Sequence, residues 1–296
     1  MLKLEGSFVA LITPMKKDRS IDEDAVRTFV DFQIEQGTHG LVPCGTTGES
    51  ATMTHAEHKR MIDIVVDQAN GRVPVVAGTG SNSTHEALDL TKYAEDAGAD
   101  AALIITPYYN KPTQRGLIHH FTTLANETNI PIVLYNVPSR TGRNMEASTT
   151  LELAKHKNIV AIKEASGNLG QIMNIIAGAP SGFVVVSGDD SLTYSICTLG
   201  GTGVISVAAN VAPKLMASFM TNLIQGNYTK AREAHYKLLP LFKVLFIETN
   251  PGPCKKAAEL MKLAGIENWY LRAPLVEPTA ENTEKIRTVL KNLDLL

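Results

Sequence analysis

Eight short apolar runs recur along this chain at near-even spacing, and they constrain the fold more than any other feature. They are Phe8–Thr13, His39–Gly45, Val73–Thr79, Ala101–Pro107, Pro131–Pro138, Ile159–Ala165, Phe183–Asp189 and Gly203–Val207, and their first residues stand 31, 34, 28, 30, 28, 24 and 20 apart. Most are rich in Val and Ile and read as continuous apolar stretches rather than alternating ones. Strands buried on both faces have that appearance, so the runs predict a parallel sheet covered by helices.

The stretches between them carry helix signals. Across residues 61–69 the apolar side chains Ile62, Val65, Val66 and Ala69 share one helical face. Capping boxes are expected at Ser20 with Glu23, Thr54 with Glu57 and Ser83 with Glu86. Gly37, Gly71 and Gly98 fall where three helices should end, a position that favours a left-handed residue. Strand then helix, repeated eight times, is the arithmetic of a (β/α)8 TIM barrel, here expected over residues 1–224. A doubly wound open sheet is the rival. No G-x-G-x-x-G follows the first strand, and Gly45 and Gly48 are spaced differently. Beyond the barrel, segments 228–247, 253–264 and 279–293 look helical. Residues 225–296 are therefore expected to form a C-terminal helical region that packs on the barrel or on a partner subunit.

Composition narrows the function classes. Hydrophobic residues are 44% and charged residues 20% of the 296, which argues against disorder. The formal net charge of -2 leaves no electrostatic footprint for nucleic acid or an anionic membrane. The apolar runs are strand-length, well short of the roughly 20 residues of a membrane span. Met1–Ala10 has no basic stretch followed by a signal-length apolar segment. Cys44, Cys197 and Cys254 are odd in number and form no C-x-x-C, which suits reduced thiols in a cytoplasmic protein.

In such barrels the chemistry comes from the C-terminal ends of strands. Lys163 is the most informative residue there, because it interrupts the apolar run Ile159–Ala165. Burial disfavours a charged ammonium, and a neutral amine forms a Schiff base with a ketone or aldehyde. The alternatives are an ion pair with a neighbour such as Glu164, or a side chain that reaches solvent at the barrel mouth. Tyr135, at the end of the preceding strand, is either a proton relay or a ring lining the mouth. The loop Gly45–Ser50 places Thr46 and Thr47 between glycines. It reads as a nest of backbone N–H groups for a carboxylate or as a plain tight turn. Arg140 suits a second carboxylate, or is an exposed loop arginine.

Metal chemistry finds little support. His55 and His58 flank Glu57, and His119 and His120 are adjacent, but neither set is H-E-x-x-H and no ligand cluster completes them. These histidines are expected on helix surfaces. No metal and no cofactor is expected.

Taken together, GTTGES (45–50), AGTGSNST (77–84), TPYYNKP (106–112), YNVPSRTG (135–142), IKEASGN (162–168), SGDD (187–190) and GVISV (203–207) resemble the dihydrodipicolinate synthases, also called 4-hydroxy-tetrahydrodipicolinate synthases. The motifs stand in that family's order from about residue 5 to the C-terminus. Arg140 in its P-S-R-T-G setting and Tyr109 in T-P-Y-Y-N narrow the likeness to the synthases within the wider superfamily. The resemblance implies that Lys163 forms a Schiff base with pyruvate, whose carboxylate sits on Thr46 and Thr47. It implies a proton relay of Tyr135, Thr46 and Tyr109, with Tyr109 from the neighbouring subunit of a homotetramer built as two dimers. Arg140 would hold the carboxylate of L-aspartate 4-semialdehyde, and the backbone around Gly188 and Ile205 would line the pocket. The pathway implied is lysine and diaminopimelate biosynthesis.

The same resemblance implies an inhibitory L-lysine site at Ser50, Ala51, His55, His58, Asn82, Glu86 and Tyr108, close to the relay through the adjacent Tyr108 and Tyr109. Two other readings stand beside the synthase. One is another Schiff-base aldolase of this superfamily, such as N-acetylneuraminate lyase or a keto-deoxy-sugar aldolase. The other is a catalytically silent barrel that senses a small acid, which an intact Lys163, Tyr135 and Thr46 argue against.

Overall fold

In a computed structural model, which describes residues 3–267 and 269–296, all eight runs are strands. They are β1 Gly6–Ala10, β2 Gly40–Val42, β3 Val76–Gly78, β4 Ala101–Ile105, β5 Ile132–Asn136, β6 Ile159–Glu164, β7 Val184–Ser187 and β8 Gly203–Ser206. Each strand is shorter than its run, and in most the surplus apolar residues continue into the loop beyond its C-terminal end. Every pairing is parallel, in the order β2-β1-β8-β7-β6-β5-β4-β3. The seam between β2 and β3 is closed by a parallel bridge of Leu41 with Val75 and by Gly78 N–H donating to the Pro43 carbonyl at 2.9 Å. The ring is thus the expected TIM barrel, and the open-sheet alternative falls away.

Alternation along each strand divides the apolar residues into two cores. Phe8, Val42, Val76, Leu103, Val133, Tyr135, Ala161, Val186 and Ile205 fill the barrel interior. Val9, Leu41, Ala77, Ile104, Leu134, Ile162, Val185 and Val204 face outward under the helices. The interior is tight enough to require Gly40, where a Cβ would lie 2.2 Å from the Phe8 ring. A strand buried on both sides needs apolar residues at every position, which explains the continuous runs.

Helix boundaries follow their caps. Thr54 and Glu57 form the expected reciprocal capping box on the helix His55–Ala69. The helix Glu23–Glu35 is instead capped by Asp22, which accepts from Ala25 N–H at 3.3 Å. Ser20 is held by Asp18 through its N–H and hydroxyl, so the expected box with Glu23 is corrected. At the helix Thr84–Asp96, Ser83 is the cap, but Glu86 turns to Ser81 Oγ at 2.7 Å and the box is only half made. Gly37, Gly71 and Gly98 do take positive φ, +87°, +69° and +86°.

The C-terminal region contains the helices Tyr228–Val244, Gly252–Leu260 and Ala280–Asn292, as its patterning suggests. It returns to the barrel mouth, where Asn250, Lys255 and Arg272 all reach the loop after β2. Among the described residues no helix is long and apolar enough to cross a membrane.

Candidate active site

Lys163 and Tyr135 are register partners on β6 and β5. Both side chains point into the barrel near its C-terminal mouth, and Lys163 is only 6% exposed. Its Nζ lies 4.2 Å from the centroid of the Tyr135 ring. Among the described residues it makes no ion pair and no hydrogen bond.

The neighbouring acid does not hold it. Glu164 follows on the opposite parity of β6, is fully buried, and faces the helix layer. Its carboxylate accepts from Asn136 Nδ2 at 2.7 Å, Gln171 Nε2 at 3.0 Å, Ser166 N–H at 3.0 Å and Ser166 Oγ at 2.6 Å. Strand alternation therefore separates the amine from the acid, and the ion-pair alternative for Lys163 is excluded. Gly188, just past β7, makes room for the lysine: a Cβ there would stand 2.9 Å from Lys163 Cε and 2.7 Å from Ala165 Cβ.

The loop after β2 forms a 3₁₀ turn, Thr46–Gly48. Its leading N–H groups have no partner within the turn, as at any helix start. The turn is pinned by Gly48 N–H to the Gly45 carbonyl at 3.0 Å and by Thr13 Oγ1 donating to the Gly48 carbonyl at 2.7 Å. Glu49 then takes a left-handed conformation, φ +62°. Its buried carboxylate pairs with Lys255 and accepts from Arg272 N–H at 3.0 Å. Lys255 also donates to the Tyr270 carbonyl at 2.7 Å. Burial pulls the Lys255 ammonium down from its ordinary range, and Glu49 opposes that shift. Arg140 sits on the short helix Pro138–Thr141 and donates to the Asn250 carbonyl at 3.3 Å. Asn250 Nδ2 donates to Thr47 Oγ1 at 2.9 Å.

Lys163, Tyr135, Thr46, Thr47, Arg140 and Gly188 thus share one mouth cavity of about 690 Å³. Ile205 lies one layer deeper, in the interior core, and Val207 reaches the cavity wall in its place. Tyr109 stands apart, 89% exposed with φ +69°.

A second cavity of about 330 Å³ shares Thr46, Tyr135 and Arg140 and runs on to Ser50, Ala51, His55, His58, Glu86 and Tyr108. Asn82 is not on its wall, and its carbonyl accepts from Asn110 Nδ2 at 2.8 Å. The expectation of surface histidines is corrected in part. His55 and His119 are exposed, but His58 and His120 are buried. His58 Nε2 lies 2.6 Å from the Gly78 carbonyl, tying its helix to β3, and burial lowers its pKa. The three cysteines are free, and burial pushes each thiol upward, which leaves them poor nucleophiles.

Asn250, Lys255 and Arg272 escaped the sequence reading. Lys255 carried a usable signal, since it stands among Cys254, Ala257 and Ala258 much as Lys163 stands in its strand. Asn250 carried none, because its partners are far away in the chain.

A buried amine free of acidic partners, inside a parallel barrel and beside groups suited to carboxylates, is the arrangement of a Schiff-base lyase. The sequence profile of the dihydrodipicolinate synthetase family matches residues 3–293. The 4-hydroxy-tetrahydrodipicolinate synthase of Syntrophotalea carbinolica is 52% identical over 98% of this chain and 98% of its own. A chloride-inhibited dihydrodipicolinate synthase from Acinetobacter baumannii, solved with pyruvate, is 41% identical with a TM-score of 0.96, covering 99% of this chain and 100% of its own. A lysine-bound synthase from Cyanidioschyzon merolae is 38% identical with a TM-score of 0.95, covering 99% of both chains. This chain belongs to the dihydrodipicolinate synthetase family, and it is an enzyme of the Schiff-base lyase class.

Proposed function

We propose that the chain condenses pyruvate with L-aspartate 4-semialdehyde, as a cytoplasmic 4-hydroxy-tetrahydrodipicolinate synthase of lysine and diaminopimelate biosynthesis. The observation that carries this reading is the Lys163 amine, buried and without an acidic partner, against the ring of Tyr135.

In this mechanism the amine attacks the pyruvate ketone and water leaves, giving a protonated imine on Lys163. The imine withdraws electrons, so a methyl proton is lost and an enamine forms. Its carbon attacks the semialdehyde carbonyl. The amino group of the second substrate then displaces Lys163 as the ring closes. The Thr46 and Thr47 amides and hydroxyls take the pyruvate carboxylate, and Arg140 takes the other. Gly188 and the β8 end around Ile205 shape the pocket. Tyr135, Thr46 and Tyr109 pass the protons. Tyr109 acts from the neighbouring subunit of a homotetramer of two dimers, a role that fits its exposure in the single chain.

The cavity joining His55 and Glu86 to Tyr135 supports a second element of the reading, inhibition by L-lysine, as does the lysine-bound relative. Ser50, Ala51, His58, Asn82 and Tyr108 complete that site. Calorimetric titration tests it, and no heat at millimolar lysine would refute it.

Borohydride reduction with pyruvate, followed by peptide mass mapping, tests the catalytic reading. A reduced pyruvyl adduct should map to Lys163 and vanish in Lys163→Ala. An enzyme that turns over without any adduct refutes it.

A further inference from the structure

Asn250 lies far from the barrel motifs in sequence, yet it touches both groups assigned to carboxylates. Its side-chain Nδ2 donates to Thr47 Oγ1 at 2.9 Å, and its backbone carbonyl accepts from Arg140 Nη2 at 3.3 Å. Asn250 and Thr47 are each 4% exposed, so water does not compete freely for the bond between them, whereas Arg140 is exposed.

The direction of the first bond matters. A threonine hydroxyl has one proton to give and two lone pairs. With one lone pair taken by the Asn250 amide, the proton points elsewhere. Among the described residues Thr47 Oγ1 donates to no acceptor, and Thr47 lines the mouth cavity beside Lys163. An anion in that cavity is the acceptor the arrangement suits.

We propose that Asn250 is the positioning residue of the keto-acid site: its side-chain amide fixes the Thr47 hydroxyl as a donor toward the pyruvate carboxylate, while its backbone carbonyl anchors Arg140. This deepens the proposed function and rests on it. The C-terminal region thereby sets the geometry of a site whose reacting groups all come from the barrel. The two contacts also separate by chemistry. A side-chain substitution at Asn250 removes the bond to Thr47 and leaves the backbone carbonyl for Arg140. Binding of the first substrate should suffer, and binding of the second should change little.

Steady-state kinetics of the full-length enzyme, with circular dichroism and thermal unfolding as fold controls, provides the test. Asn250→Ala should raise the KM for pyruvate by about tenfold or more, the loss expected for one hydrogen bond that serves a charged group. The KM for the semialdehyde and kcat should move by less than about threefold. Asn250→Asp keeps the shape but can only accept, so it should turn the Thr47 proton away and harm pyruvate binding more than alanine does. It carries the test if the alanine variant fails to fold. In a Thr47→Val background Asn250→Ala should have no further effect on the pyruvate KM.

Normal pyruvate KM in Asn250→Asp, equal rises in both KM values, or effects of Asn250→Ala and Thr47→Val that simply add would each overturn the inference. Borohydride trapping on the unmodified enzyme keeps the two questions apart. Absence of a Lys163 adduct there sinks the catalytic reading together with the inference. A normal adduct with an indifferent Asn250 sinks the inference alone.

Discussion

Lys163 and Tyr135 face each other across one rung of the β5–β6 ladder, with the lysine nitrogen 4.2 Å from the ring centroid. Parallel register fixes the pair from the backbone upward: the two Cα atoms are partners, and both side chains fall on the inward parity. The phenol is thus held near any imine that forms on the lysine, and the ring face shields the amine from bulk water.

Tyr135→Phe should separate these two contributions. The ring and its packing remain, while the proton-carrying hydroxyl is lost. Turnover should fall by about 10²-fold or more, the usual worth of a positioned acid–base group. The reduced pyruvyl adduct on Lys163 should still form, at a lower rate. Loss of folding, or unchanged kcat, would contradict this division of roles.

Gly188→Ala should act on Lys163 without replacing any titratable group. The added methyl would stand 2.7 Å from Ala165 Cβ and 2.9 Å from Lys163 Cε. Ala165 has no rotamer with which to yield, so the lysine chain must move. A displacement on the order of 1 Å costs about 10²-fold in a positioned reaction. Single-turnover trapping with pyruvate should slow accordingly, with a stability loss of about 1–3 kcal/mol from overpacking.

The barrel was legible because strands buried on both faces leave unbroken apolar runs, and all eight appear as strands. Lys163 was legible for the same reason, as a charge where the pattern demands none. The helix starts were less so. Asp22 displaced Ser20 as a cap because Asp18 had already claimed that serine. Glu86 left its box for Ser81, a competition between nearby side chains that spacing alone does not reveal. Asn250 was invisible for a different cause, and Lys255, though marked by its apolar surroundings, gave no hint of its partner. Thr47 and Glu49, the groups they meet, belong to a loop some two hundred residues away, and only the closed fold brings them together.

The Lys255–Glu49 pair should be structural and asymmetric. Both groups are essentially inaccessible, so removing one leaves a buried charge uncompensated. Lys255→Met should destabilise the protein by about 3–5 kcal/mol, whereas the double variant Lys255→Met with Glu49→Gln should recover much of that loss. Urea unfolding measures both. Because Glu49 anchors the 3₁₀ turn, the single variant should also raise the KM for pyruvate. Equal stability of the single and double variants would refute the pairing.

Two buried groups should drive the acid stability in opposite directions. Burial holds His120 neutral, with its pKa lowered from 6.5 to about 4, while Nδ1 bonds Thr84 Oγ1 at 2.8 Å. The unfolded chain binds a proton there first, so this contribution is present above 6.5 and is lost as pH falls through about 4. Asp190 is the reverse case. Burial raises its pKa from 3.8 to about 6, against the N–H groups of Val207 and Ala208 that favour the carboxylate. Its contribution is present below 3.8 and is lost as pH rises through about 6. Between about pH 4 and 6 the two slopes oppose each other. Relative to the unmodified protein, His120→Gln should make stability fall more steeply as pH rises through that window. Asp190→Asn should make it rise more steeply. Urea unfolding at half-unit steps from pH 4 to 7 reads both slopes, and a shift of the same sign in the two variants would contradict the assignment.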